Sequence, residues 1–511
     1  MPDFSILFPQ PDTPLPEPGS ELPALFRDLN LDQLVARLNA GREDYRLAEF
    51  FEAPLADPAV VHHRHEILRA LEDDRLADML RGFAADMRAV RALQARAHGA
   101  HDDHEQQGHI LDAACRYCTA VERLDAGLGA RSLTAAGLRA LQAHLAGYLG
   151  SSAYRTLASA ARAARAALDA VRFGLLLDGS RVTVLPPGDE AEYSGVIEQT
   201  FARFRNDGAM PEPVTRPEPE RMNHVESQIV QRVARLHPQA FAALAAFAAA
   251  HADCIDPLLA RCDRELQFYL AWIDLLAPLR TAGLPFCYPE LAGISSELQV
   301  GDGFDIVLAA QRVAEGADVV CNDVSLAGAE RILVISGPNQ GGKTTFARMI
   351  GQLHWLARLG LTLPGTRVRL PLCDRIFTHF ERQEDIANLR GRLEDDLLRV
   401  RDILDRATPA SLVVVNEIFS STTAADAVDL GRRVLAELSR RGPRVVWVTF
   451  LDELTAFDDR TVSMVGGVRA DDVAVRTFRF ERRPADGLAY AAAIARKYGL
   501  TRAQLLERIR S

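Results

Sequence analysis

The sequence lacks any apolar run approaching the ~20 residues that a membrane-spanning helix needs. A helical membrane anchor is therefore not expected. It also lacks a basic segment followed by an apolar core at its start. MPDFSILFPQPDTPLPEPGS is proline-rich, and residues 1–24 read as a loose leader, not a secretory signal. Cysteine is scarce and odd in number, seven in 511 residues, which argues against a disulfide framework. Cys115 and Cys118 form a C-x-x-C with no second pair downstream. These absences together point to a cytoplasmic protein with no membrane partner. Positive charge is not in excess. The chain has 59 basic against 69 acidic residues and a net charge of −10, so as a whole it is no polycation. A local basic surface would still suffice to hold DNA. Lysine itself is nearly missing, with only Lys343 and Lys497 present. A bias toward arginine explains most of that. Lys343 nevertheless falls where a compact ammonium is required and a planar guanidinium would fit badly.

What is there is ordinary globular material, 48% hydrophobic and 25% charged. A chain of 511 residues exceeds one core, and at roughly 100–200 residues per domain two to four domains are expected. Residues 25 to 170 repeat apolar positions at spacings of three and four, as in ADMLRGFAADMRAVRAL, which predicts long helices. Val171 to Leu177, then Asp178-Gly179, then Arg181 to Leu185 reads as strand, turn, strand. A proline-rich loop follows at residues 208–219, and helical spacing resumes from Met222 to Leu279. Beyond Pro285, short continuous apolar runs alternate with helices. RILVIS (331–336), SLVVVN (411–416) and RVVWVTF (444–450) suit strands buried on both faces of a mainly parallel sheet. No solenoid-length repeat interrupts this order.

The chemistry concentrates after the first of those strands. Gly337, Pro338, Asn339, Gln340, Gly341, Gly342, Lys343, Thr344 and Thr345 complete a G-x-x-x-x-G-K-T loop between a strand and a helix. Glycines let backbone N–H groups converge on phosphate oxygens, and the helix start adds its positive dipole end. In that pattern Lys343 reaches the β- and γ-phosphates of ATP, and the Thr344 hydroxyl ligates Mg²⁺. The strand ending in Asn416 and Glu417 supplies the second element. Glu417 is the candidate general base. Asn416 stands where an aspartate normally holds Mg²⁺ through water, so a weaker metal site is expected.

These motifs resemble the MutS family of DNA mismatch repair proteins. G-P-N-Q-G-G-K-T-T at 337–345 differs at two positions from the family's G-P-N-M-G-G-K-S-T. SLVVVNEI (411–418) is similar to S-L-V-L-M-D-E-I, and VTFLDELT (448–455) to A-T-H-Y-F-E-L-T. Residues 379–404 run without gaps along the family's signature segment, and residues 29–58 look like the start of its core and lever region. The resemblance implies a multidomain chain: a helical core/lever domain at 25–290, a clamp-like β insertion near 171–220, and an ABC-type P-loop ATPase domain at 291–511. It implies a homodimer gripping duplex DNA with little sequence dependence, with a repair-protein partner left open. It puts the adenine beside Val319 within VVCND (319–323). It also puts Asn388, Arg390 and Gly391 where a partner's γ-phosphate would be met, with an ordinary solvated helix start as the lesser alternative. The family's switch histidine falls at Phe450, its signature serine at Gly391, and its base-stacking aromatic near Val319, so turnover and coupling are expected to differ. The mismatch-reading domain is expected to be absent, as is a C-terminal nuclease; a shortened homologue with lever and ATPase alone is the expectation.

Two weaker signals stand beside these. His98, His101, His104 and His109 precede Cys115 and Cys118, but Gly99 and Gly108 and the irregular spacing favour a solvated helix connection over zinc. His62, His63 and His65 read as surface or cap residues. Arg172, Arg181, Arg203 and Arg205 are candidate phosphate contacts on the insertion, or a solvated basic face. Two functions follow: a DNA-clamping ATPase in mismatch or recombination-related repair, or a nucleotide-gated scaffold with negligible turnover acting on a protein partner.

Overall fold

Short runs of Ile, Leu and Val organise the fold. In the computed structural model, Ile332–Ser336, Leu412–Asn416 and Arg444–Val448 are strands with every residue buried. The structure describes residues 3–16, 19, 21–55, 57–179, 181–188, 222–293, 297–381, 391–469, 475–485 and 500–510. The three strands sit inside a six-stranded sheet in the order Ile376–Phe380, Leu412–Asn416, Arg444–Val448, Ile332–Ser336, Thr461–Val468, Arg476–Arg482. Neighbours are parallel except the last pair. Burial on both faces explains continuous apolar runs where one-sided strands would alternate. Ile332, Val334, Val413, Val415, Val445 and Trp447 form a core with helices Arg392–Arg406 and Ala424–Arg441. Their alternates point the opposite way, where helix Lys343–Arg358 packs. A mixed four-stranded sheet joins Glu290–Ala292, Arg367–Pro371, Leu298–Gly303 and Asn322–Leu326.

The chain divides into two compact units: residues 1–3, 73–133 and 139–263 form one, and residues 4–72, 134–138 and 264–511 the other. A boundary at 290/291 therefore does not describe the packing, because the unit carrying the phosphate loop also takes in residues 4–72. The loose leader expected over residues 1–24 is corrected as well. Phe4, Ser5, Ile6, Leu7 and Phe8 are buried. The Ser5 hydroxyl and the N–H groups of Ile6 and Leu7 donate to the Glu265 carboxylate at 2.9, 2.8 and 3.2 Å. The Tyr269 hydroxyl donates to the Ile6 carbonyl at 2.7 Å. Arg64, wholly buried, donates to the carbonyls of Leu7 and Leu359 and lies 5.1 Å from the rings of Phe8 and Phe268. Desolvation pushes its pKa down to about 10.

Helix Leu22–Asp28 ends against the phosphate-loop helix. Arg348 donates to the Asp28 carbonyl at 2.8 Å, and Gln352 to the Leu29 carbonyl at 2.9 Å. A Cβ on Gly351 would come within 2.7 Å of the Leu29 side chain, so glycine makes this approach possible. Phe50 and Phe51 are buried on Phe268, as apolar packing requires. His63 and His65 are buried within helix Pro58–Ala70, not surface or cap residues. Burial drives both toward the neutral form, His65 down to about 4.

In the other unit, helices Asp74–Gly99 and Asp103–Gly129 pack along their length, joined by three residues. Asp102 caps the second by accepting from His104 and Glu105. Gly108 lies within that helix and does not break it. Buried Tyr117 donates to Tyr148 at 3.1 Å and accepts from the Asp256 N–H at 3.0 Å. Gly174–Asp178 and Arg181–Leu185 form an antiparallel hairpin turning at Gly179, whose φ is +59°. The proline-rich loop at 208–219 lies outside the described residues.

Candidate nucleotide-binding site

The loop at 337–342 is held open by its glycines. Gly337 has φ +123°, and a Cβ there would meet the Gly466 nitrogen at 2.9 Å. Gly342 has φ +88° and caps helix Lys343–Arg358, whose first N–H groups have no partner within the helix. A Cβ on Gly341 would meet the Pro338 carbonyl oxygen at 2.8 Å. Gln340 takes the left-handed region without being glycine. Lys343, 4% exposed, donates to the Gly337 carbonyl at 3.1 Å and the Asn339 Oδ1 at 3.2 Å. Its Nζ lies 3.4 Å from the Glu417 carboxylate. The Thr344 hydroxyl donates to Asn416 Oδ1 at 3.0 Å. The C-terminal ends of strands Ile332–Ser336 and Leu412–Asn416, separated in the sheet by Arg444–Val448, thus converge on one spot.

Glu417 follows the buried strand directly, with φ +52°, and Phe419 has φ +61°. Left-handed backbone at a non-glycine residue costs roughly 1–2 kcal/mol, so two such residues within three positions mark a shaped loop. The Glu417 N–H donates to the Val448 carbonyl at 3.0 Å, fixing the turn on the neighbouring strand.

A cavity of about 580 Å³ opens over this arrangement. Asn339, Gln340, Gly342, Lys343, Thr344, Thr345 and Glu417 line it, together with Leu308, Arg312, Asp318, Val319, Val320, Asn322, Phe478 and Phe480. Gly337, Pro338 and Gly341 shape the loop behind that lining. Asp305 caps the helix Ile306–Ala314 beside the cavity and accepts from Gln352. Burial raises its carboxyl above the usual range.

Leu308, Arg312, Asp318, Phe478 and Phe480 are lining residues that sequence reasoning missed, and Phe478 is the most exposed aromatic among them. The Asn322 amide brackets it, donating to the Phe478 carbonyl at 3.0 Å and accepting from the Phe480 N–H at 2.8 Å. Phe480 stacks on Phe346 at 4.5 Å, while the Phe478 ring stays 46% exposed. The positive φ of Phe478, +57°, breaks strand alternation there and turns it from its expected side. The T-F-R-F run was the only trace of it. Replacing Phe478 with Ala is expected to weaken binding of a purine nucleotide by about 1–3 kcal/mol. Titration of a fluorescent ATP analogue measures this; unchanged affinity rejects a stacking role.

Other sequence candidates fare differently. Gly391 precedes helix Arg392–Arg406 as its N-cap, with open space around its Cα. Asn388, Arg390, Arg203 and Arg205 lie outside the described residues. Arg172 donates to the carbonyls of Asp169 and Val171. Arg181 is exposed on the hairpin, but so are Leu175, Leu176 and Leu177, giving that surface a mixed character. Phe450 is exposed and does not line the cavity. Among the described residues no group of three His, Cys, Asp or Glu side chains is arranged to hold a metal. No described helix is long and apolar enough to cross a membrane.

Comparison with known proteins gives the class of domain first: residues 333–506 match the family model of MutS domain V. The C-terminal part of the chain is MutS-like. Over 194 residues it is 30% identical to the DNA mismatch repair protein MutS of Thermotoga maritima, covering 38% of this chain and 24% of that protein. The same-named protein of Thermotoga neapolitana is 31% identical over 195 residues, with the same shares. The matched stretch spans about a quarter of the length of these relatives.

Proposed function

We propose that the unit carrying the phosphate loop binds ATP with Mg²⁺ and hydrolyses it, and that the protein works on DNA as a homodimer in mismatch or recombination-related repair. One observation carries this reading. Lys343 and Thr344 of the loop meet Glu417 and Asn416, at the end of strand Leu412–Asn416, at 3.4 and 3.0 Å, and Lys343, Thr344 and Glu417 line one cavity. Lys343 would leave its loop carbonyls for the phosphates, freeing Glu417 to take a proton from the attacking water. Phe478 and Val319 offer apolar faces to the base. The Thr344 hydroxyl and the Asn416 carbonyl are hard oxygen donors and fit Mg²⁺, but neither carries charge. When bound, Mg²⁺ would neutralise charge on the β- and γ-phosphates. The DNA and dimer parts of the reading rest on similarity to MutS alone.

A nucleotide-gated scaffold with slow turnover is the second reading, and uncharged Asn416 favours it. Equilibrium ATP binding and single-turnover hydrolysis, with and without a short DNA duplex, test both. The first reading expects ATP binding, a measurable chemical step and a rate that changes with DNA; failure to bind ATP overturns both. Asn416→Asp is expected to lower the Mg²⁺ concentration needed for binding by about tenfold, equivalent to about 1.4 kcal/mol. An unmoved Mg²⁺ dependence would separate Asn416 from the ion.

A further inference from the structure

The turn that carries Glu417 is held from two sides by residues that bracket residues 382–390 in sequence. On one side, the Glu381 N–H donates to the Asn416 carbonyl at 3.3 Å, and its carboxylate accepts from the Ser420 hydroxyl at 2.8 Å. On the other, Asp396, in the first turns of helix Arg392–Arg406, accepts the Phe419 N–H at 3.2 Å. The second oxygen of Asp396 lies 2.9 Å from His379 Nε2. His379 is 1% exposed and belongs to the strand Ile376–Phe380, where it is paired with Val415. One carboxylate thus joins a strand, a helix and the strained turn. Its grip falls on Phe419, whose left-handed backbone has its own tendency to relax. An acceptor there is what a loop of this shape needs, since a buried N–H left without one costs about 1–3 kcal/mol.

We propose that Asp396, oriented by His379, is a positioning residue that sets the Glu417 carboxylate for water activation, and that helix Arg392–Arg406 adjusts hydrolysis through this contact. The inference rests on the ATPase reading above and adds a control element to it. Asp396 does not line the cavity, so it acts on the rate and not on the ligand. An aspartate serves His379 and Phe419 with separate oxygens; an asparagine keeps one oxygen and loses the charge, and it holds both partners only if its NH2 donates to a His379 Nε2 that has given up its proton.

The test compares Asp396→Asn, Asp396→Ala and Asp396→Glu in the full chain. ATP affinity and thermal unfolding are measured beside single-turnover hydrolysis and hydrogen exchange of the peptide spanning residues 417–420. Expected for Asp396→Asn are affinity within about twofold, a hydrolysis rate lower by on the order of 10²-fold for a misplaced base, and faster exchange in that peptide, with Asp396→Glu partly restoring all three. In a Glu417→Gln background Asp396→Asn should add no further loss of rate. A wild-type rate in Asp396→Asn, or a loss of affinity and stability that matches the loss of rate, overturns the proposal. Should Asp396→Ala fail to fold, the milder Asn and Glu variants still decide. If the wild-type chain hydrolyses nothing, the ATPase reading fails by itself. Exchange at residues 417–420 then still reports the positioning contact, and unchanged exchange in Asp396→Asn rejects it.

Discussion

Glu417→Gln should lower the single-turnover rate of ATP hydrolysis by about 10²–10⁴-fold while leaving ATP binding intact. Glutamine keeps the size and reach of the side chain but cannot accept a proton as a base. The loop should survive the change. Lys343 loses a partner at 3.4 Å, yet the carbonyl of Gly337 and the amide oxygen of Asn339 still receive its ammonium. The turn also survives, because Glu417 anchors it through its backbone N–H to Val448, not through its carboxylate. Affinity for ATP is expected to stay level or rise slightly, since a negative charge leaves the vicinity of the phosphates. Rapid-quench measurement of bound ATP against ADP checks the rate, and filter binding checks the affinity. A variant that hydrolyses at the wild-type rate removes Glu417 from the chemistry.

The second large effect is on stability. Glu265→Ala should destabilise the unit that holds the phosphate loop by about 3–5 kcal/mol, as loss of one partner from a buried charged network does. The substitution strips acceptors from the Ser5 hydroxyl and from the N–H groups of Ile6 and Leu7. It also removes the carboxylate whose charge helps buried Arg64 stay ionised. The chain has three tryptophans, Trp272, Trp355 and Trp447, all buried in this unit, so tryptophan emission follows its unfolding. A fall in Tm of about 10 °C is expected. Glu265→Gln, which keeps one acceptor oxygen, should lose less. A Tm within about 2 °C of wild type in the Ala variant would show that residues 4–8 are not anchored as described.

The loop and its flanking strands were legible in the sequence for a physical reason. A backbone turning at φ +123° and +88° accepts little but glycine at Gly337 and Gly342, and a strand buried on both faces accepts little but Ile, Leu and Val. Local geometry writes itself into local composition. Contacts across the chain do not. Nothing in FSILF announced that Glu265, some 260 positions away, would receive its N–H groups. His63 and His65 looked polar enough for a surface, and only the packing around helix Pro58–Ala70 buries them. Phe478 was hidden by one left-handed residue, which overturned the alternation that reading a strand relies on. Asp396 looked like one acid in a charged helix start, because its partners arrive from two other elements.

The close approach of Leu29 to Gly351 has a consequence for descent. Residues 333–506 match a family model as a continuous block, which suggests a cassette that recombination could move between genes. The packing forbids so clean a transfer. A gene segment carrying the phosphate loop alone would leave behind the leucine that fills the notch at Gly351 and the carbonyls that receive Arg348 and Gln352. Its product would expose the back of helix Lys343–Arg358. Substitutions at Leu29 and Gly351 are therefore expected to track each other across lineages, a larger residue at 351 requiring a smaller one at 29.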